Sequence, residues 1–73
     1  MNIVTVNSAV IRAVGYDEPN SILRLELTTG KTYEYQNVPL RTYQLLMRSP
    51  SKGEYFNGNI RDNYEYTEVT PAD

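Results

Sequence analysis

Leu23, Leu25 and Leu27 alternate with Arg24 and Glu26, and a few residues later Tyr33 and Tyr35 alternate with Thr32 and Glu34. An alternation of period two is a strand with one buried face. The linking segment, Thr28-Thr29-Gly30, then decides which residues share that face. A two-residue turn would set Leu25 opposite Glu34 and put the tyrosines on the other side from the leucines. A three-residue loop sets Leu25 opposite Tyr33 and Leu23 opposite Tyr35. That loop is a type I turn followed by a left-handed residue, and it wants glycine last. Gly30 stands there, so the reading is a hairpin over 22–28 and 31–36 whose leucines and tyrosines line one core face.

The remaining elements arrange themselves around this hairpin. Residues 8–16 are rich in β-branched side chains and end in the turn cluster Asp17-Glu18-Pro19-Asn20, which marks a strand. Val10, Val14 and Tyr16 fall on one side of it and Ile11 on the other, unless a bulge near Arg12-Ala13 brings them together. Pro39 opens a helix over 39–48, because proline suits a helical first turn. Leu40, Tyr43 and Met47, with Leu46 beside them, give it an apolar stripe. Ser49-Pro50 breaks that helix, since the residue before proline avoids the α region. A shorter helix begins at Ser51 and stops at Asn57, with Gly58 as the left-handed residue beyond its end. Tyr55 or Phe56 completes the core, with Ile60 close by. Residues 64–69, Tyr-Glu-Tyr-Thr-Glu-Val, alternate again and read as a last strand. The fold class is therefore α+β: a small antiparallel sheet of three to four strands, in the order β-β-β-α-α-β, with two short helices on one face. Residues 1–7 are an extension or short strand, 8–69 a single domain, and 70–73 a tail.

The richest stretch for function is 51–61. Ser51 and Glu54 have the spacing of a capping box, in which a hydroxyl and a carboxylate satisfy free N–H groups at a helix start. Lys52 and Gly53 beside it supply a cation and an unobstructed backbone, which makes an anion seat. Arg41 and Arg48 lie seven apart on helix 39–48 and so project from similar sides. With Lys52 and Arg61 they form a candidate basic lobe, although a solvated helix face carries the same pattern. Tyr64 and Tyr66 are candidate stacking platforms for unpaired bases. Tyr33 and Tyr35, sharing a face with leucines, read as core instead.

Several of these landmarks, taken together, resemble the KTSC domain, a module found at the C-terminus of some lysyl-tRNA synthetases. They are Gly15-Tyr16-Asp17, the leucine alternation into Gly30, Tyr33-x-Tyr35, Val38-Pro39, Tyr43, Ser51-Lys52-Gly53, Tyr55-Phe56-Asn57, Ile60 and Tyr64-x-Tyr66. They stand in the family's order, and the resemblance spans residues 8 to 69. The chain departs from the pattern at Ser49, where alanine is expected, and at Leu40, where a polar residue is usual. An exposed Leu40 would mark a contact surface. The resemblance implies a small module that also occurs free-standing in bacteria and phages, and its synthetase context implies RNA binding.

Composition narrows the function classes. The 73 residues include no cysteine and no histidine, which removes thiol chemistry, most zinc sites and the commonest general base. No acid–base constellation with a nucleophile and an orienting partner is visible, so the expectation is a non-enzyme with no cofactor and no metal. No apolar run approaches a membrane span, and Met1 to Val6 lack the pattern of a secretory signal. Absence of cysteine fits a reducing cytoplasm. Net charge is −2, with Arg41, Arg48, Lys52 and Arg61 clustered in mid-chain and Glu65, Glu68 and Asp73 at the end. The leading expectation is a binding module for a phosphate-bearing ligand, RNA or a nucleotide, through the basic lobe around 51–54. The alternative is a protein-interaction or homo-oligomerisation module, which would bury Leu40, Leu45 and open sheet edges.

Overall fold

A computed structural model describes residues 1–69. The tail over 70–73 lies outside the described residues. The chain runs β1 (Asn2–Thr5), β2 (Ile11–Asp17), β3 (Ile22–Leu27), β4 (Thr32–Tyr35), α1 (Leu40–Arg48), α2 (Lys52–Tyr55), a π-turn (Phe56–Ile60) and β5 (Tyr66–Val69). The strands form one antiparallel sheet in sequence order, with the helical segment packed on one face between β4 and β5. The α+β architecture holds, and the N-terminal segment supplies a fifth strand.

The hairpin has the expected register: Leu23 pairs with Tyr35 and Leu25 with Tyr33. Gly30 sits at φ 95°, and its N–H donates to the Leu27 carbonyl at 3.0 Å, closing the turn. The pairing of β2 with β3 shifts between Ile11 and Ala13, so Arg12 is the extra residue of a bulge. That shift moves Ile11 onto the face of Val14. Both are fully buried, while Val10 is left exposed at the surface. Leu23, Leu25, Leu46, Val38 and Ile60 complete a core with no solvent access, against which Phe56 and Tyr35 pack. Each such aliphatic side chain contributes about 1.5–3 kcal/mol by leaving water.

Two anchors fix α1. The Tyr16 hydroxyl donates to the Val38 carbonyl at 2.5 Å, and the Tyr16 ring stacks on Tyr43 with centroids 5.0 Å apart. Pro39 serves as the N-cap in an extended conformation, not as a first-turn residue. Leu46 carries the burial of the stripe. Tyr43 and Met47 flank it half-buried, and Leu40 sits at the rim.

The second helix departs from expectation at both ends. Ser51 makes no side-chain cap, so the capping box does not form. Its N–H is already taken by the Ser49 hydroxyl at 3.2 Å, and that hydroxyl donates back to the Ser51 carbonyl at 3.0 Å. Nor does the helix end at Asn57 with a left-handed Gly58. It widens into a π-turn in which the Arg61 N–H reaches the Phe56 carbonyl at 2.9 Å. The wider turn sends both Phe56 and Ile60 into the core. Side-chain amides support the carbonyls around it, Asn59 donating to Tyr55 at 3.3 Å and Asn63 to Asn59 at 2.7 Å.

A Cβ added at Gly30 would meet only open space, so replacing this residue tests backbone conformation alone. Gly30→Ala is expected to lower unfolding stability by about 1–2 kcal/mol, through strain at positive φ. Thr29→Ala serves as the control in urea denaturation. Equal stability of the two variants would contradict the assigned loop.

Candidate functional site

Burial of the hairpin face is incomplete at the β5 side, and there the tyrosines gather. Period two places Tyr33 and Tyr35 on the helix-covered face of β4, and the register sets Tyr66 of β5 opposite Tyr35. Tyr35 is buried, Tyr33 half-buried, and Tyr66 is 56% exposed. The Tyr66 ring meets Tyr33 edge-on at 5.2 Å and lies 5.3 Å from Tyr35, which in turn meets Phe56 edge-on at 5.8 Å. Edge-to-face pairs at these separations add about 0.5–1.5 kcal/mol each beyond burial, which holds the cluster in one arrangement.

These rings form the floor of a groove of about 420 Å³ whose wall is the π-turn. Asn57, Arg61 and Asp62 line that wall, and Val10 with Leu27 close the far end. The π-turn explains why Arg61 is there. Because its N–H bonds the Phe56 carbonyl, the two residues lie one wide turn apart and border the same space. The volume lies within the range of small-ligand sites, about 300–1,000 Å³, and aromatic walls with a few polar groups are typical of them.

The groove also acts on Tyr35. Burial pushes its phenol above the ordinary 10.0, the neighbouring Tyr66 and Tyr33 add to the rise, Arg61 opposes it, and Asp62 adds a little more. Tyr35 is thus a neutral, fixed part of the floor at physiological pH.

The residues singled out from sequence are divided among separate places. Ser51, Lys52 and Gly53 line a second hollow of about 350 Å³ together with Ser8, Pro50 and Glu54. Lys52 spends its ammonium on the Ser49 carbonyl at 3.1 Å, tying the link between α1 and α2. Gly53 is small because Val10 lies against it: a Cβ there would meet Val10 Cγ2 at 3.1 Å. α2 itself is a single turn of four residues, too short for a substantial dipole. Arg41 and Arg48 are not buried on α1 and line neither hollow, while Arg61 lines the aromatic groove. The tyrosine pair also splits. Tyr64 is half-buried with its hydroxyl 3.3 Å from Thr42 Oγ1 of α1, whereas Tyr66 faces the groove.

Tyr33, Phe56, Asn57 and Asp62 also border the groove, although the sequence does not mark them as functional. The usable signal is the hairpin register, which puts Tyr33 one step nearer the sheet end than Tyr35. Among the described residues no set of three or more metal-ligating side chains comes together, and no helix is long and apolar enough to cross a membrane.

The phenol shift gives a pH test of this geometry. Below pH 10 Tyr35 is neutral in both folded and unfolded chains, and its burial contributes fully. As pH rises past 10 the unfolded chain gives up that proton first, so stability falls until the folded phenol ionises. Tyr35→Phe is therefore expected to flatten the alkaline fall in stability relative to the parent, measured by urea denaturation above about pH 10. Parallel curves for parent and variant would show that Tyr35 is not buried as described.

A sequence model of the KTSC domain matches residues 7–71. An uncharacterized protein of Stutzerimonas stutzeri is 33% identical over 70 residues, covering 94% of this chain and 99% of that one. A lysine–tRNA ligase of Nostoc sp. is 37% identical over 60 residues, 82% of this chain. The matched segment is only 11% of that ligase's length. Among solved structures, the crystal structure of a KTSC domain protein from Yersinia pestis superposes with a TM-score of 0.92 at 32% identity, covering 94% of this chain and 97% of that one. With its family match spanning nearly the whole chain and its fold shared by a solved member, the protein belongs to the KTSC domain family, a small module that also forms part of lysine–tRNA ligases.

Proposed function

We propose that this chain is a non-enzymatic binding module for a phosphate-bearing ligand, RNA or a nucleotide, taken into the groove between β5 and the π-turn. The observation that carries this reading is Tyr66. It is more than half exposed, yet it is held in place by ring contacts at 5.2 and 5.3 Å. An exposed ring that is already ordered loses little freedom on binding, which is how rigid anchors gain affinity. Stacking on such a ring is tolerant of base identity and is worth about 1–3 kcal/mol per base.

Arg61 supplies the cation for one phosphate, with a planar fork suited to it. Asp62 beside it and the net charge of −2 keep the surrounding field weak. The balance therefore favours stacking over charge. Lys52, Ser51 and Gly53 belong to the neighbouring hollow, which meets the groove at Val10 and Asn57. A strand leaving the groove in that direction passes Lys52. Arg41 and Arg48 are assigned no base contact. The presence of similar domains within lysine–tRNA ligases, proteins named for a tRNA substrate, agrees with an RNA ligand.

Fluorescence titration with a short single-stranded RNA separates this from a basic-lobe interaction. Tyr66→Ala is expected to weaken binding roughly tenfold or more. The salt dependence is expected to be shallow, with a log–log slope of about −1 against about −3 for four converging cations. Unchanged affinity in both Tyr66→Ala and Arg61→Ala would overturn the proposal.

A further inference from the structure

The two edges of the sheet are built differently. β5 carries exposed Glu68 and follows exposed Glu65, charges that repel an approaching strand of like kind. β1 has no such guard. All four of its residues are exposed, Ile3 and Val4 each at 41%. No charged side chain and no proline occurs between residues 1 and 11. Of the devices that keep edges single, β1 has only its short length of four residues, with no charged side chain, proline or bulge.

The hydrogen-bond pattern shows which groups face outward. The Val6 N–H donates to the Arg12 carbonyl at 3.0 Å, and β1 pairs in register through Val4 with Val14 and Asn2 with Tyr16. Antiparallel ladders alternate, so Asn2, Val4 and Val6 turn their main chains toward β2, and Ile3 and Thr5 turn theirs away. Among the described residues no strand lies beyond them. Gly15 keeps this edge flat. Ile3 Cδ1 and Met1 Sδ lie where a Cβ of residue 15 would stand, so both side chains lie down on the sheet.

We propose that β1 pairs antiparallel with β1 of a second copy of this chain, joining two five-stranded sheets into one. A two-fold axis at Val4 sets Ile3 opposite Thr5 of the second copy, and Thr5 opposite its Ile3. The outward N–H and C=O groups of both residues are then satisfied by four main-chain bonds. Val4 meets its own counterpart on the helix-covered side. A second copy is the fitting occupant because an uncharged edge brings no like charges together when it meets itself, whereas β5 of another copy would carry Glu65 and Glu68 into the contact. The interface is small, in the range below about 1,200 Å² where complexes exchange rapidly. It lies at the opposite edge from the aromatic groove and does not depend on ligand binding there.

Sedimentation velocity over about a hundredfold concentration range reads the association directly. The parent is expected to rise toward twice the monomer mass. Exchange of the Ile3 and Thr5 amides should slow as concentration rises. Thr5→Pro removes only an outward N–H, and Val4→Lys sets two cations face to face while leaving the backbone intact. Both are expected to stay monomeric with the circular dichroism of the diluted parent. Should Thr5→Pro fail to fold, Val4→Lys decides. A parent that remains monomeric, a dimer that survives Val4→Lys, or growth past the dimer would each overturn the proposal.

Discussion

The pairing of Leu25 with Tyr33 and Leu23 with Tyr35 is the constraint on which the rest of this structure depends. A one-residue slip in that hairpin would send every side chain to the opposite face. Gly30 prevents the slip by admitting a backbone at φ 95° that other residues resist. With the register fixed, the tyrosines stand on the same face as the leucines. The helical segment must then cover that face, and it covers most of it. What it leaves uncovered, at the β4–β5 end, is aromatic.

The π-turn determines what borders that uncovered end. An ordinary α-helical continuation would close Arg61 on Asn57; here it closes on Phe56. This arrangement buries Phe56 and Ile60 together and brings Arg61 to the rim of the tyrosine cluster. π-turns of this kind cost helical regularity and recur at functional sites. The outer face of the sheet is charged where this one is aromatic. It carries cross-strand ion pairs, Arg12 with Glu26 at 3.2 Å and Arg24 with Glu34 at 3.5 Å, which hold charge in neutral pairs. Pairs as exposed as Arg12 with Glu26 add little stability.

Much of the fold was legible because it rests on periodicity. The hairpin register follows from spacing and turn chemistry, and Ile60 lies in the core as expected. The bulge at Arg12, the choice of Phe56 over Tyr55 and the burial of Leu46 in place of Leu40 were settled only by the fold. The site was less legible, for identifiable reasons. Ser51 and Glu54 have capping-box spacing, but the Ser49 hydroxyl takes the Ser51 N–H first. No sequence pattern distinguishes a bond to the fifth residue back from one to the fourth, so the π-turn was invisible and Arg61 could not be placed. Tyr66 reaches Tyr33 only because β5 returns beside β4 after a long helical excursion, and strand order does not follow from alternation alone. Of the four cations read as one lobe, Lys52 lines the second hollow, Arg61 lines the aromatic groove, and Arg41 and Arg48 line neither.

The proposed function requires the exposed ring of Tyr66 and its neighbours to be the ligand-contacting surface. Chemical-shift mapping on isotope-labelled protein, with a single-stranded uridine oligonucleotide as the probe, tests that most directly. The largest changes are predicted at Tyr33, Phe56, Arg61 and Tyr66, with upfield ring shifts from base stacking. Changes centred on Ser51 to Gly53 and Arg48, with the tyrosine rings unmoved, would contradict it.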